Sequence, residues 1–259
     1  MITQVTFTGI DERTDISRLV DIQKKYPFVE FGFLVSRSRQ GKENRYPDLS
    51  VLEKLEGLGL NLSCHVCGSL AREIILENQT RRFARYSDAS LRDYLGRFMS
   101  LFKRVQLNVA ETKDLPEETL IWIPDGIEEL IIQENPTELQ FRNITYIGNF
   151  ELAHLMDASG GRGKETDFIP NLWDARTGYA GGLNPENIIR QIQPLLKVKP
   201  NIEYRNDFWI DMESGVRTND WFDFNKVESV LKTLTEDKSF KEQLDAQEKV
   251  ISRGINPKI

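Results

Sequence analysis

Eight short runs rich in β-branched, aromatic and aliphatic residues recur along the sequence. They lie near Val5 to Thr8, Val29 to Val35, Leu60 to His65, Arg104 to Asn108, Leu130 to Gln133, Leu152 to Asp157, Thr177 to Ala180 and Phe208 to Met212. They start 22 to 44 residues apart, the pitch of repeated strand and helix units. Several of the intervening segments carry apolar residues at helical spacing: DISRLVDIQKKY, LSVLEKLEGLG, ASLRDYLGRFMSLFKR and PENIIRQIQPLL. Alternating strand and helix implies a parallel sheet, and eight units are the number that closes it. The expected architecture is therefore α/β, a single (βα)8 barrel over residues 1–235. The interval from Gly68 to Lys103 has room for an additional short helix, and Asp220 to Leu234 reads as the barrel's last helix. Residues 236–259 are polar and weakly periodic, which predicts a short C-terminal extension that packs partly on the barrel.

A parallel barrel keeps its chemistry at the C-terminal ends of its strands. Two stretches put polar and glycine residues there. In FELAHLMDASGGRGKETDF an apolar run ends in Asp157 and a glycine-rich loop follows at once, with Gly160 and Gly161 in it. In TGYAGGLNP a second run ends in Gly181-Gly182, just before a helix pattern opens at Pro185. Free N–H groups at a helix N-terminus next to a double glycine make a natural phosphate cradle. Ser214-Gly215 follows the last strand in the same manner. Each of these also has an ordinary structural reading: Asp157 as a turn or helix cap, the glycines as tight-turn residues.

Composition narrows the class. Hydrophobic content of 39%, charged content of 29% and a net charge of -6 describe a chain with no basic surplus for nucleic acid or anionic lipid. The start, MITQVTFTG, lacks the basic and apolar regions of a signal peptide, and no run reaches membrane-spanning length. The cytoplasm is the expected location, a small phosphorylated metabolite the expected partner, and a monomer or homodimer the expected state, with no nucleic acid or membrane partner. Cys64 and Cys67 are the only cysteines, and His65 and His154 the only histidines. On a strand the odd separation of the cysteines sends their side chains to opposite faces, so they read as buried and inert. Neither a metal site nor a cofactor is expected, since His154 faces away from the site if Asp157 faces into it. His65, at a strand end, has a side chain whose ordinary pKa of about 6.5 suits proton transfer, and a hydrogen-bonded structural role fits it equally. No lysine lies on the strand runs, which argues against Schiff-base chemistry. Trp173 and Trp209 read as packing residues.

LMDASGGRGKETDF, GYAGGLNPENI and WIDMESGVRTNDWFDFNKV, in that order and at those intervals, resemble the second half of phosphoribosylanthranilate isomerase. VTFTGIDERTD and FGFLVSRSR look, more loosely, like that family's first two strands and their loops. The resemblance spans residues 2 to 232. It implies a (βα)8 barrel that carries out an Amadori rearrangement in tryptophan synthesis. It further implies that Asp157 is the general acid protonating the sugar ring oxygen, that Gly181, Gly182, Ser214 and Gly215 hold the substrate phosphate, and that Arg39 in SRSRQG holds the anthranilate carboxylate. The pattern breaks at one place. The family's general base is a cysteine at the end of strand one, and this chain has Thr8 there. A thiol with a pKa of about 8.5 can be tuned into range, whereas a threonine hydroxyl cannot. His65 and Asp11 are the candidates for the missing base. The sequence therefore supports two readings of different class: a sugar-phosphate isomerase of this type or a divergent relative, and a non-catalytic barrel that binds a phosphorylated metabolite or nucleotide.

Overall fold

The computed structural model describes residues 1–80, 89–108, 118–122, 126–134, 143–147, 150–157, 159, 162–170, 175–198 and 207–252. Eight parallel strands close into a barrel: β1 (Ile2–Thr8), β2 (Val29–Val35), β3 (Leu62–Cys67), β4 (Arg104–Asn108), β5 (Glu129–Glu134), β6 (Glu151–Asp157), β7 (Arg176–Ala180) and β8 (Phe208–Met212). Each strand lies beside its neighbours in sequence, and β1 pairs with β8 to shut the cylinder. All eight fall on the runs marked by residue type.

The outer layer is less regular than the repeat implies. Between β1 and β2 lies α1 (Ile16–Lys25), which starts where the Asp15 carboxylate accepts from the Ser17 N–H and ends on Lys24 and Lys25, at the pole that favours cations. Between β2 and β3 the segment Leu49–Leu55 winds as a 3-10 helix. The long interval after β3 holds α2 (Ser69–Thr80), α3 (Ala89–Leu95) and a 3-10 turn, Gly96–Leu101. After β4 and again after β5, short strands stand where the repeat predicts helices. Glu118–Trp122 and Asn143–Ile147 pair in parallel as a separate two-stranded sheet. Their sequences, ETLIW and NITYI, are dense in β-branched and aromatic residues, which fit a pleated surface better than a helix. Residues 163–170, after β6, form neither helix nor strand. Regularity returns with α4 (Ile188–Leu196), α5 (Phe224–Glu236) and α6 (Lys238–Ser252).

Two cores result. The larger lies between the outward faces of the strands and the surrounding helices, with Phe7, Phe31, Phe33, Val66, Leu107 and Ile210 from the sheet meeting Leu19, Ile192, Val230 and Leu231 from the helices. The smaller lies inside the barrel, where Ile131, Ala153, Leu155 and Trp209 touch. The rest of the interior is polar. Towards the N-terminal end Glu30, Arg104, Glu129 and Arg176 form one buried network: Arg104 contacts Glu129 at 2.5 Å and Glu30 at 2.8 Å, and Arg176 contacts Glu129 at 2.9 Å. Trp209 sits over both guanidinium groups, 4.6 Å from Arg104 and 5.2 Å from Arg176. Space for its indole comes from Gly178, its register partner on β7, where a Cβ would stand 2.1 Å from the ring.

The C-terminal extension forms α6, which packs under the barrel. Phe240 is fully buried and meets Phe28 edge to face at 5.8 Å. Gln243 accepts from the Ile2 N–H at 2.8 Å and donates to the Leu196 carbonyl at 3.2 Å, tying α6 to the start of β1 and the end of α4.

Candidate active site

The alternation that faces Phe208, Ile210 and Met212 outward turns Trp209 and Asp211 into the barrel. Register then fixes their level. Asp157 on β6 is paired with Ala180 on β7, and Ala180 with Asp211 on β8. Two carboxylates therefore lie in one row across the C-terminal mouth, separated by a single methyl group. Both line a small cavity (≈ 60 Å³) with His65, Gln106, Gln133, Glu213 and the residues Gly181, Gly182, Ser214 and Gly215. A larger cavity (≈ 640 Å³) opens at the opposite end, beside Tyr26, Phe28, Leu62, Leu244 and Arg104. That end carries the structural ion network.

Asp157 is buried, and its oxygens are engaged. Oδ1 accepts from the Ser159 N–H at 2.9 Å and from the Ser159 hydroxyl at 2.6 Å, while Oδ2 accepts from the Gln133 amide at 2.8 Å. The turn-capping role and the place at the mouth are thus combined in one side chain. Asp211 is buried too. Its Oδ1 accepts from the Thr8 hydroxyl at 2.6 Å, and its Oδ2 lies 3.8 Å from His65 Nδ1. Burial pushes the Asp211 carboxyl up to about 7, against the Thr8 hydrogen bond, with Glu213, Glu30 and Asp157 adding to the rise. Thr8 and His65 reach this point because Gly32 leaves it open: a Cβ there would stand 2.4 Å from Thr8 Oγ1 and 2.9 Å from His65 Nε2.

His65 comes to the mouth as expected, with a different protonation. Its Nε2 is 2.9 Å from the Ser63 hydroxyl and its Nδ1 is 3.1 Å from the Gln106 amide nitrogen. Burial, reinforced by Arg104, lowers its pKa to about 3, so the ring is neutral near neutrality and only a feeble base. The value near 6.5 expected from an ordinary histidine does not survive this enclosure. Asp11 is carried away from the cavity altogether. Its Oδ1 accepts from the Arg13 N–H and the Thr14 hydroxyl, and its Oδ2 from Arg217 and the Phe222 N–H at 2.6 Å. It ties the loop after β1 to the hairpin formed by Arg217–Thr218 and Trp221–Phe222, and that duty leaves it no position as a base.

The glycine loops meet at the rim. A Cβ on Gly215 would stand 1.8 Å from the Leu183 carbonyl oxygen, so the loop after β8 lies directly on the loop after β7. Gly181 and Gly182 adopt φ of 130° and 63°, a region open to glycine and strained for other residues. The helix after Gly182 begins later than the sequence pattern implies. Residues 185–187 form a turn, and α4 starts at Ile188 after Asn187, whose side chain binds the Asn184 N–H and the Gly182 carbonyl. The segment after β6 also folds across this rim. Cβ positions on Gly182 and Gly163 would lie 2.5 Å from the Glu165 nitrogen and 2.8 Å from Ser214 Oγ, and Glu165 pairs with Arg190 at 2.5 Å. Gly160 and Gly161, and Trp173, lie outside the described residues.

Of the basic loop after β2, Arg39 stacks on Tyr46 at 4.1 Å and makes a long 3.5 Å contact with Ser36. Arg37 is paired with Glu73, and Arg45 with Glu213 and Asp220. Arg45 thus joins the loop after β2 to the one after β8. The cysteines split as their spacing predicts, with Cys64 in the outer core and Cys67 beside Leu34 and Tyr46. Burial pushes the Cys67 thiol up to about 11. His154 pairs with Glu134 at 2.7 Å. No group of three or more His, Cys, Asp or Glu among the described residues is arranged to hold a metal ion, and no helix among them is long and apolar enough to cross a membrane.

Asp211 is the residue that reading strand ends alone passes over. The signal for it was present: it alternates with Trp209 and stands three residues before Ser214.

Residues 106–233 match the family model described as N-(5'phosphoribosyl)anthranilate (PRA) isomerase. Two solved structures also match. The phosphoribosyl anthranilate isomerase of Thermococcus kodakaraensis is 12% identical, covers 89% of this chain and 98% of its own, and has a TM-score of 0.45. The N-(5'-phosphoribosyl)anthranilate isomerase of Pyrococcus furiosus is 13% identical over 89% and 97%, with a TM-score of 0.42. No curated protein matches the sequence.

Proposed function

From a closed eight-stranded barrel whose residues 106–233 match the PRA isomerase family, we propose a cytoplasmic sugar-phosphate isomerase of that type. Its reaction is an Amadori rearrangement of a phosphoribosylated aromatic amine, a step of the kind used in tryptophan biosynthesis. One observation carries this reading. Asp157 faces the same cavity as the rim made by Gly181, Gly182, Ser214 and Gly215, so an acid and an anion cradle address one small ligand. In this reading backbone N–H groups of the rim hold phosphate, as backbone amides do at other phosphate sites. Asp157 delivers a proton to the ring oxygen. Arg39, on the neighbouring loop, orients the carboxylate of the aromatic ring.

The competing reading, a barrel that binds such a ligand without turning it over, draws support from Thr8 at the place of the family's cysteine. Thermal-shift measurements against phosphate, ribose 5-phosphate and phosphoribosyl anthranilate, followed by turnover of the last, separate the possibilities. A ligand present at 100 times its dissociation constant adds about 2.7 kcal/mol, which appears as a clear rise in Tm. Shifts with turnover support the isomerase, and shifts without turnover support the binder. The absence of any shift with phosphorylated ligands would remove both and leave the glycines as loop geometry.

A further inference from the structure

We infer that Asp211, oriented by the Thr8 hydroxyl, is the base of this barrel, standing in for the cysteine that the chain lacks on its first strand. This deepens the isomerase reading and rests on it. Geometry comes first. Asp211 and Asp157 share one register row through Ala180, and neighbouring strands lie about 4.8 Å apart. The two Cα positions are therefore separated by about 9 to 10 Å across a residue with almost no side chain, a gap that takes the C1–C2 unit of a sugar between two carboxyl groups. Both groups line the cavity at the mouth. Thr8 fixes the Asp211 rotamer through a 2.6 Å hydrogen bond, and Gly32 opens the space that lets Thr8 reach it. The side chain at the cysteine's position thus keeps a part in proton transfer while passing the proton itself to a neighbour.

The other candidates are spent. Asp11 is consumed by Arg217 and the Phe222 N–H, and His65 is neutral and weakly basic. The charged and titratable groups that act on Asp211 are Glu213 from the loop after its own strand, Glu30 from β2 and Asp157 from β6, with His65 from β3 beside it. The carboxylates raise its affinity for a proton, and burial raises it further. The resulting value of about 7 matches a base working near neutrality.

The steps balance without any further reagent. Asp157 gives its proton to the ring oxygen as the C1–O bond breaks, and the nitrogen lone pair forms the C1=N bond. The Asp211 carboxylate then takes the C2 proton. The C2–H electron pair becomes the C1=C2 bond, and the C=N pair returns to nitrogen. In the closing tautomerisation Asp211 returns its proton to C1, the C2 hydroxyl becomes the ketone, and the hydroxyl proton restores Asp157.

The test compares wild type, Asp211→Asn, Thr8→Val and Thr8→Ser in steady-state turnover of phosphoribosyl anthranilate across pH, with the phosphate-induced thermal shift measured on each. Asp211→Asn is expected to lower kcat about 10² to 10⁴-fold while keeping the thermal shift. Thr8→Val removes a hydrogen bond to the charged form. It is therefore expected to move the acidic limb of kcat/KM, near pH 7 in the wild type, to higher pH, and Thr8→Ser to return it. Turnover by Asp211→Asn within tenfold of wild type would overturn the assignment and leave the isomerase standing. An acidic limb unmoved in Thr8→Val would overturn the role of Thr8 in the same way. A wild type that binds phosphate but does not turn over the substrate would instead overturn the isomerase reading, and the assignment with it.

Discussion

At the scale of single residues, Gly178 and Trp209 are one unit. The indole fills the volume that a β7 side chain would take, so Gly178→Ala puts a methyl group into ring atoms at 2.1 to 2.6 Å. Neither the strand nor a ring packed on two guanidinium groups yields easily. The variant is expected to lose about 1 to 3 kcal/mol in urea unfolding, with no change in the phosphate-induced shift if the mouth is unaffected. A loss below about 0.5 kcal/mol would mean that the ring moves freely. Legibility at this scale was uneven. Asp157 and the rim glycines could be read because a polar or glycine residue ending an apolar run is a local signal. Asp211 was obscured by WIDME, where the run continues past it to Met212. The surroundings of Asp11 and His65 were harder to read for a related reason: Arg217 and the groups that enclose the ring come from segments distant in sequence.

At the scale of elements, the strands were far easier to read than what connects them. Most barrel strands are buried along nearly their whole length and turn a mostly apolar face outward to the covering layer, which marks them locally. The outer layer has only to cover one face, and helices, 3-10 turns and the pair of short strands all do so. That is why ETLIW and NITYI stand in helix positions without disturbing the barrel. The weak pattern of 236–259 predicts only partial packing on the barrel, yet α6 carries Phe240, which has no exposure at all. Phe240→Ala is expected to cost about 3 to 5 kcal/mol, measured by chemical denaturation. A cost under about 1 kcal/mol would show that α6 merely rests on the barrel.

At the scale of the whole molecule, the interior of the barrel is divided between an ionic floor and an acidic mouth, with Trp209 between them. Burial alone would raise the Glu129 carboxyl, but Arg104 and Arg176 outweigh it and bring its pKa down to about 2. A depressed carboxylate stabilises the fold fully above its unfolded value of about 4.3, and that stability is lost as pH falls towards 2. The loss amounts to roughly 3 kcal/mol. Glu129→Gln is expected to cost about 3 to 5 kcal/mol at pH 7, since it leaves two buried cations undercompensated, and to flatten the acid limb of the stability curve. Unchanged acid unfolding in that variant would place the acid-sensitive group elsewhere. The shared height of Asp157 and Asp211 has a stereochemical consequence. A group that takes hydrogen from C2 and returns it to C1 without changing its place must do both on one face of the planar intermediate. In the proposed reaction Ala180, by holding the two carboxyl groups apart, would therefore keep the migrating hydrogen on the β8 side throughout.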